Sequence, residues 1–172
     1  MTDSATSTSQ PTRRAFLATV ASAATLVAAG AAQALSATAV ARAGARAVAP
    51  VRDIVVYKDA NCGCCREWVT HLKKAGFVVT VHDMTDMVTV KRSLGVPEAL
   101  ESCHTGRIGK YSIEGHVPAD LITRLMTELP AARGLAVPGM VTGSPGMEGG
   151  TKQAYDVLLF DAAGKTRVYA SR

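Results

Sequence analysis

A small mixed α/β domain, with helices flanking a short sheet, is what the sequence predicts, and three observations predict it. Runs rich in β-branched residues, Ile54-Val55-Val56-Tyr57 and Phe77-Val78-Val79-Thr80-Val81, read as buried strands. Apolar residues at helical spacing lie between and beyond them: Trp68, Val69, Leu72 and Ala75, then Leu121, Ile122, Leu125, Met126 and Leu129. Finally, three of the four cysteines fall in Cys62-Gly63-Cys64-Cys65, where the first strand hands over to the first helix.

The 172 residues are 48% hydrophobic and 19% charged, enough for one domain with a core once the first fifty are set aside. Those fifty are rich in Ala, Ser and Thr. Thr12-Arg13-Arg14-Ala15-Phe16-Leu17 resembles a twin-arginine export signal, and a charge-free, mildly apolar run follows to about Ala41. Small-residue cleavage sites end at Ala34 and at Ala39, and removal is preferred over a retained membrane anchor. The expected organisation is therefore a signal peptide over 1–39, a flexible lead-in over 40–52 and a folded domain over 53–172, located in the periplasm.

Within the domain, strand one covers Ile54 to Lys58 and helix one about Cys64 to Ala75, stopped by Gly76. A second strand, Phe77 to His82, follows the helical crossover and should run parallel to the first. Thr85 can cap a second helix bearing Met87, Val90 and Leu94, stopped by Gly95 and Pro97. Ser102-Cys103-His104-Thr105 and Lys110 to Glu114 flank Gly106-Arg107-Ile108-Gly109 as a hairpin or bent strand. Pro118 is placed as the first residue of a third helix. The closing strands, Tyr155 to Phe160 and Thr166 to Ala170, are joined by a turn containing Gly164. From about Pro130 to Gly150 the chain reads as a long loop of Gly, Pro and small residues, and a loop of this length is usually functional or disordered. It repeats a tripeptide, Pro138-Gly139-Met140 and Pro145-Gly146-Met147, which places each methionine at the exit of a tight turn. This element order, with cysteines at the first strand-to-helix junction, is that of a thioredoxin-like small sheet, here with a C-terminal Gly/Pro/Met loop and β-hairpin.

The chemistry concentrates in the cysteines. At the start of a helix the free N–H groups and the dipole favour thiolate, the form that binds metals and attacks disulfides. Structural staples are a poor reading, because adjacent Cys64 and Cys65 close only a strained bridge and Cys62 with Cys65 closes a tiny loop. Zinc sites commonly pair two separated C-x-x-C units, and this chain has one. Copper(I) suits the crowding better: it is soft and tolerates bridging thiolates, so Cys62, Cys64, Cys65 and Cys103 become candidate ligands. His104, His116, Met140 and Met147 are candidates for additional ligands or for groups supporting them. His71 and His82 read as a solvated helix face and a strand end without a role, and Met84, Met87 and Met126 as core. A rival reading uses Cys62 and Cys65 as the C-x-x-C pair of a thiol–disulfide oxidoreductase. Scattered basic residues without interleaved aromatics give no support for nucleic-acid binding, and no nucleotide loop or hydrolase signature is present.

Taken together, Cys62-Gly63-Cys64-Cys65, Ser102-Cys103-His104-Thr105, Glu114-Gly115-His116-Val117-Pro118, Gly134 through Met140 and Gly143 through Glu148 resemble the CopG-like periplasmic copper-resistance proteins, domain-of-unknown-function family 411. The resemblance spans about Val55 to Val168. It implies a thioredoxin-like domain, copper held as a multinuclear cluster on cysteines matching Cys62, Cys64, Cys65 and Cys103, and a part in copper tolerance, with cycling between copper(I) and copper(II). Periplasmic copper carriers or efflux components are the partners it suggests. One departure is visible: the family's Gly-Met-Pro is here Gly139-Met140-Val141, which loosens the loop at Met140.

Overall fold

The computed structural model describes residues 51–172, so the predicted export signal and most of the lead-in lie outside the described residues. Its strands are β1 (Asp53–Lys58), β2 (Val78–Asp83), β3 (His104–Ile108), β4 (Tyr111–Glu114), β5 (Gly134–Ala136), β6 (Asp156–Phe160) and β7 (Thr166–Ser171). The helices are α1 (Gly63–Lys74), α2 (Met87–Ser93) and α3 (Ala119–Glu128), with one 3-10 turn at Glu98–Leu100. The seven strands form a single mixed sheet in the order β2-β1-β3-β4-β5-β6-β7. β1 pairs parallel with β2, as the helical crossover requires, and antiparallel with β3. The β3–β4 hairpin is antiparallel, β5 joins β4 in parallel, and β5-β6-β7 close the sheet antiparallel.

Each helix is explained by its apolar spacing. α1 buries Cys65, Trp68, Val69 and Leu72, the i, i+3, i+4, i+7 stripe of one helical face, so Cys65 points into the protein while Cys64 does not. α3 buries Ala119, Leu121, Ile122, Leu125 and Met126 and starts after Pro118, which is its N-cap rather than its first residue. These two faces share a core with Ile54, Val56, Ile108, Ile113, Leu135 and Val157 from the sheet. Removing this much apolar surface from water stabilises the domain at about 25 cal/mol per Å².

Alternation along the β3–β4 hairpin divides what faces what. Gly106 and Ile113 are cross-strand partners on the α1 side, whereas Thr105 and Glu114 are partners on the opposite side, toward Lys91 of α2. α2 departs from the sequence reading in detail: its cap is Asp86, whose carboxylate accepts from Thr89 N at 3.0 Å, not Thr85. Met87 and Met84 are only half-buried, while Met126 is core. The stretch read as one long loop contains β5, three buried residues paired on both sides. Gly164 sits in the final turn at φ 78°, as the hairpin demands.

Candidate metal centre

The site begins where β1 ends. Asp59 receives Asn61 N on its carboxylate at 2.7 Å and Cys62 N on its carbonyl at 3.1 Å, turning the chain sharply into α1. Cys62 is the N-cap, and its sulfur accepts the Cys65 N–H at 3.3 Å, a place serine or aspartate commonly fills. Cys62 and Cys65 are joined as a disulfide, with Cα atoms 5.3 Å apart, while Cys64 and Cys103 are free. The Cys64 sulfur lies 3.5 Å from that of Cys62 and 3.8 Å from that of Cys103. All four sulfurs fall within 4.8 Å of one another, so the fold gathers the four cysteines singled out from the sequence.

A second donor group shares Cys103: its sulfur, His104 and His116 also present atoms within 4.8 Å of one another. Cys103 Sγ is 3.2 Å from His104 Nδ1 and 3.1 Å from His116 Nε2. His116 Nδ1 lies 2.8 Å from the carbonyl of Pro145, which can only accept, so Nδ1 carries the proton and Nε2 offers its lone pair toward Cys103. His104 lies against the indole of Trp68, ring centroids 4.3 Å apart, and meets His116 edge-on at 4.8 Å. Its Nε2 is buried without a hydrogen-bond partner among the described residues. Burial depresses both imidazoles, His104 well below the usual histidine range, and so keeps them neutral, the form that ligates a metal. Cys103 moves the other way. Burial first, and then the neighbouring Cys64, push its thiol up to about 12, so an ion binding there must displace a proton.

The two Pro-Gly turns clasp the site from different sides. Gly139 N donates to Glu101 O at 3.2 Å and Ser102 Oγ donates to Gly139 O, seating the first turn beside Cys103. The second presses on α1: a β-carbon on Gly146 would come within 2.8 Å of Cys64 O and of Trp68 N. Met140 is 56% exposed and Met147 half-buried.

Sequence reasoning missed three residues that shape this region. His71 is not a solvated bystander: its Nε2 accepts the N–H of Ala119 at 3.1 Å and so caps α3. His82 is exposed, as expected, and stacks on Tyr57. Lys91 and Glu114 form a buried ion pair at 2.5 Å behind β3, with side chains 4% and 0% exposed. Burial pushes the Glu114 carboxyl up while Lys91 pulls it back down. A lysine in a short polar helix carries no mark of burial, and only its partner across the sheet explains it.

A mixed α/β domain with two overlapping groups of sulfur and imidazole donors at a strand-to-helix junction belongs to the class of small domains that can hold a soft metal ion or exchange disulfides. Residues 100–147 match the family described as protein of unknown function, DUF411. Two solved forms of a copper resistance protein, CopG, are each 48% identical to this chain at a TM-score of 0.67. Form 2 is matched over 72% of this chain and Form 1 over 71%, each over 98% of its own length. The chain belongs to this CopG-like DUF411 family. A search of curated proteins finds none that matches. Among the described residues no helix is long and apolar enough to cross a membrane.

Proposed function

We propose that the protein binds copper(I) as its cargo on the thiolates of Cys62, Cys64, Cys65 and Cys103, in the periplasm, as part of copper tolerance. The observation that carries this reading is the convergence of four sulfurs within 4.8 Å, a soft donor set crowded enough to share ions. The copper-resistance neighbours support the choice of metal. His104 and His116 adjoin the cluster as neutral imidazoles through Cys103, and Met140 and Met147 offer thioethers on the two turns beside it. Cycling between copper(I) and copper(II) belongs to the same reading, as do carriers or efflux components as sources and recipients of the ion. The arrangement of β1, α1, β2, α2, β3, β4 and α3, with the cysteines leading into α1, supports a thioredoxin-like core beneath it.

The Cys62–Cys65 disulfide favours a second reading, thiol–disulfide exchange by a C-x-x-C pair at a helix start. Both readings use the same sulfurs in different states, because the disulfide must be reduced before all four can bind copper. Metal content and thiol titration of the reduced protein, kept free of oxygen and challenged with copper(I), separate them. Several copper ions per chain with all four thiols protected from alkylation is the expected result. No retained copper, together with a Cys62–Cys65 pair that cycles against a substrate disulfide, would establish the oxidoreductase instead. Cys65→Ser should lose most of the bound copper, whereas His71→Ala, which touches none of the sulfurs, should keep it.

A further inference from the structure

Behind the donor strand, on the face of the sheet opposite α1, one carboxylate ties together both arms of the hairpin that carries Cys103, His104 and His116. Glu114 Oε1 accepts from Lys91 Nζ at 2.5 Å and from Ser102 N at 2.6 Å, and Oε2 accepts from Thr105 Oγ1 at 2.6 Å. Lys91 Nζ also reaches Thr105 Oγ1 at 3.1 Å. Ser102 and Thr105 are the residues on either side of Cys103-His104, so the carboxylate brackets that dipeptide from both ends. Glu114 itself stands two residues before His116, and Gly115 N donates to His104 O at 3.0 Å. Buried ion pairs are poor sources of net stability, and a buried pair whose carboxylate also collects two further donors, Ser102 N and Thr105 Oγ1, is better explained by the geometry it enforces.

We propose that the buried Lys91–Glu114 pair is a positioning device for the strand-borne donors, fixing Cys103 against Cys64 and His116. Neither side chain touches the sulfur cluster. Glu114 acts through Ser102 and Thr105, and Lys91 acts by holding Glu114 under the strand. As a determinant of copper affinity the device rests on the copper reading above; as a determinant of the position of Cys103 it does not.

Two variants test it. Glu114→Gln replaces a group that accepts at both oxygens by one that must donate at one of them, so the three donors can no longer all be received. Thr105→Val is milder, removing one strut while leaving the ion pair in place. Both are compared with Glu128→Gln, which alters an exposed pair with Arg124 remote from the sulfurs in sequence and in fold. In reduced, metal-free protein, alkylation by iodoacetamide is followed cysteine by cysteine by peptide mass spectrometry. Cys103 should react about tenfold faster in Glu114→Gln and by a smaller factor in Thr105→Val, while Cys64 and the Glu128 control keep the wild-type rate, a site-specific change that general loosening would not give. Copper(I) affinity, measured by competition with a colorimetric chelator, should fall by about tenfold or more, the size typical of losing support behind a metal ligand. Folded Thr105→Val or Glu114→Gln protein whose Cys103 reactivity matches wild type overturns the proposal. Should the wild type bind no copper(I), the copper reading fails, and the alkylation rates still decide the positioning role.

Discussion

The two halves of the donor site are built in different ways. The helix-borne sulfurs of Cys62, Cys64 and Cys65 lie within four consecutive residues and are organised by contacts inside their own turn: Asp59 receives the chain and the Cys62 sulfur caps Cys65 N. The strand-borne group of Cys103, His104 and His116 depends on distant partners: Trp68 beneath His104, the Pro145 carbonyl against His116 and the Lys91–Glu114 pair behind the strand. Their chemistry differs accordingly. The helix half holds a disulfide and a free thiol, while the strand half keeps a proton on Cys103 and leaves both imidazoles neutral. A local turn gives the protein three of its four sulfurs, and tertiary packing gives it the donor that closes the set.

Removing the one donor that the two halves share has the strongest consequence. Cys103 belongs to both donor groups, so Cys103→Ser is expected to leave almost no copper after desalting, measured as copper per chain. Cys64→Ser leaves the Cys103–His104–His116 group whole and is expected to retain part of the copper. Equal losses would mean that the strand-borne group has no independent hold on the ion.

A smaller effect separates the two Pro-Gly turns. Gly146 has φ 87° and backbone atoms of α1 where a β-carbon would go, whereas Gly139, at φ 70°, faces open space. Gly139→Ala pays only for its backbone conformation, roughly 1–2 kcal/mol. Gly146→Ala adds a clash with Cys64 O and Trp68 N to a similar conformational cost, and should lower stability by about 1–3 kcal/mol or more in urea titration and speed alkylation of Cys64. Equal destabilisation by the two substitutions would show that the second turn does not bear on the helix-borne sulfurs.

How much of this was legible in the sequence follows the same division. Helix α1 and its cysteines were readable because adjacency puts them in one turn and an apolar stripe fixes the helix face. The terminal hairpin was readable because Asp161 to Lys165 supplies its own turn chemistry. β5 was not, since Gly134-Leu135-Ala136 has little strand propensity and becomes a strand only by pairing with β4 and β6. Lys91 was invisible for the same kind of reason: its burial is decided by Glu114, which lies 23 residues away. Cys103 and His104 could be nominated by residue type, but the neutral histidine beside them and the raised thiol are properties of the enclosure.

The least of the expected effects concerns a histidine outside the sulfur cluster and carries a pH sign. His71 caps α3 with a lone pair, and burial lowers its pKa, with Glu148 and Asp120 opposing. Near pH 7.5 the imidazole is neutral in both folded and unfolded chains, so its hydrogen bond contributes about 1 kcal/mol, the usual worth of a helix cap. As pH falls through the unfolded value of about 6.5, the unfolded chain takes up a proton that the folded one resists, and stability declines until the folded, depressed pKa is passed. His71→Ala should therefore cost about 1 kcal/mol at pH 7.5 and flatten the fall in stability that sets in below about pH 6.5, both read from urea midpoints of the metal-free protein. An unchanged slope would mean that the imidazole does not hold the α3 N–H in solution. An unchanged copper content in the same variant would keep the two roles apart, His71 tying α1 to α3 while the sulfurs at the other end of the helix bind the ion.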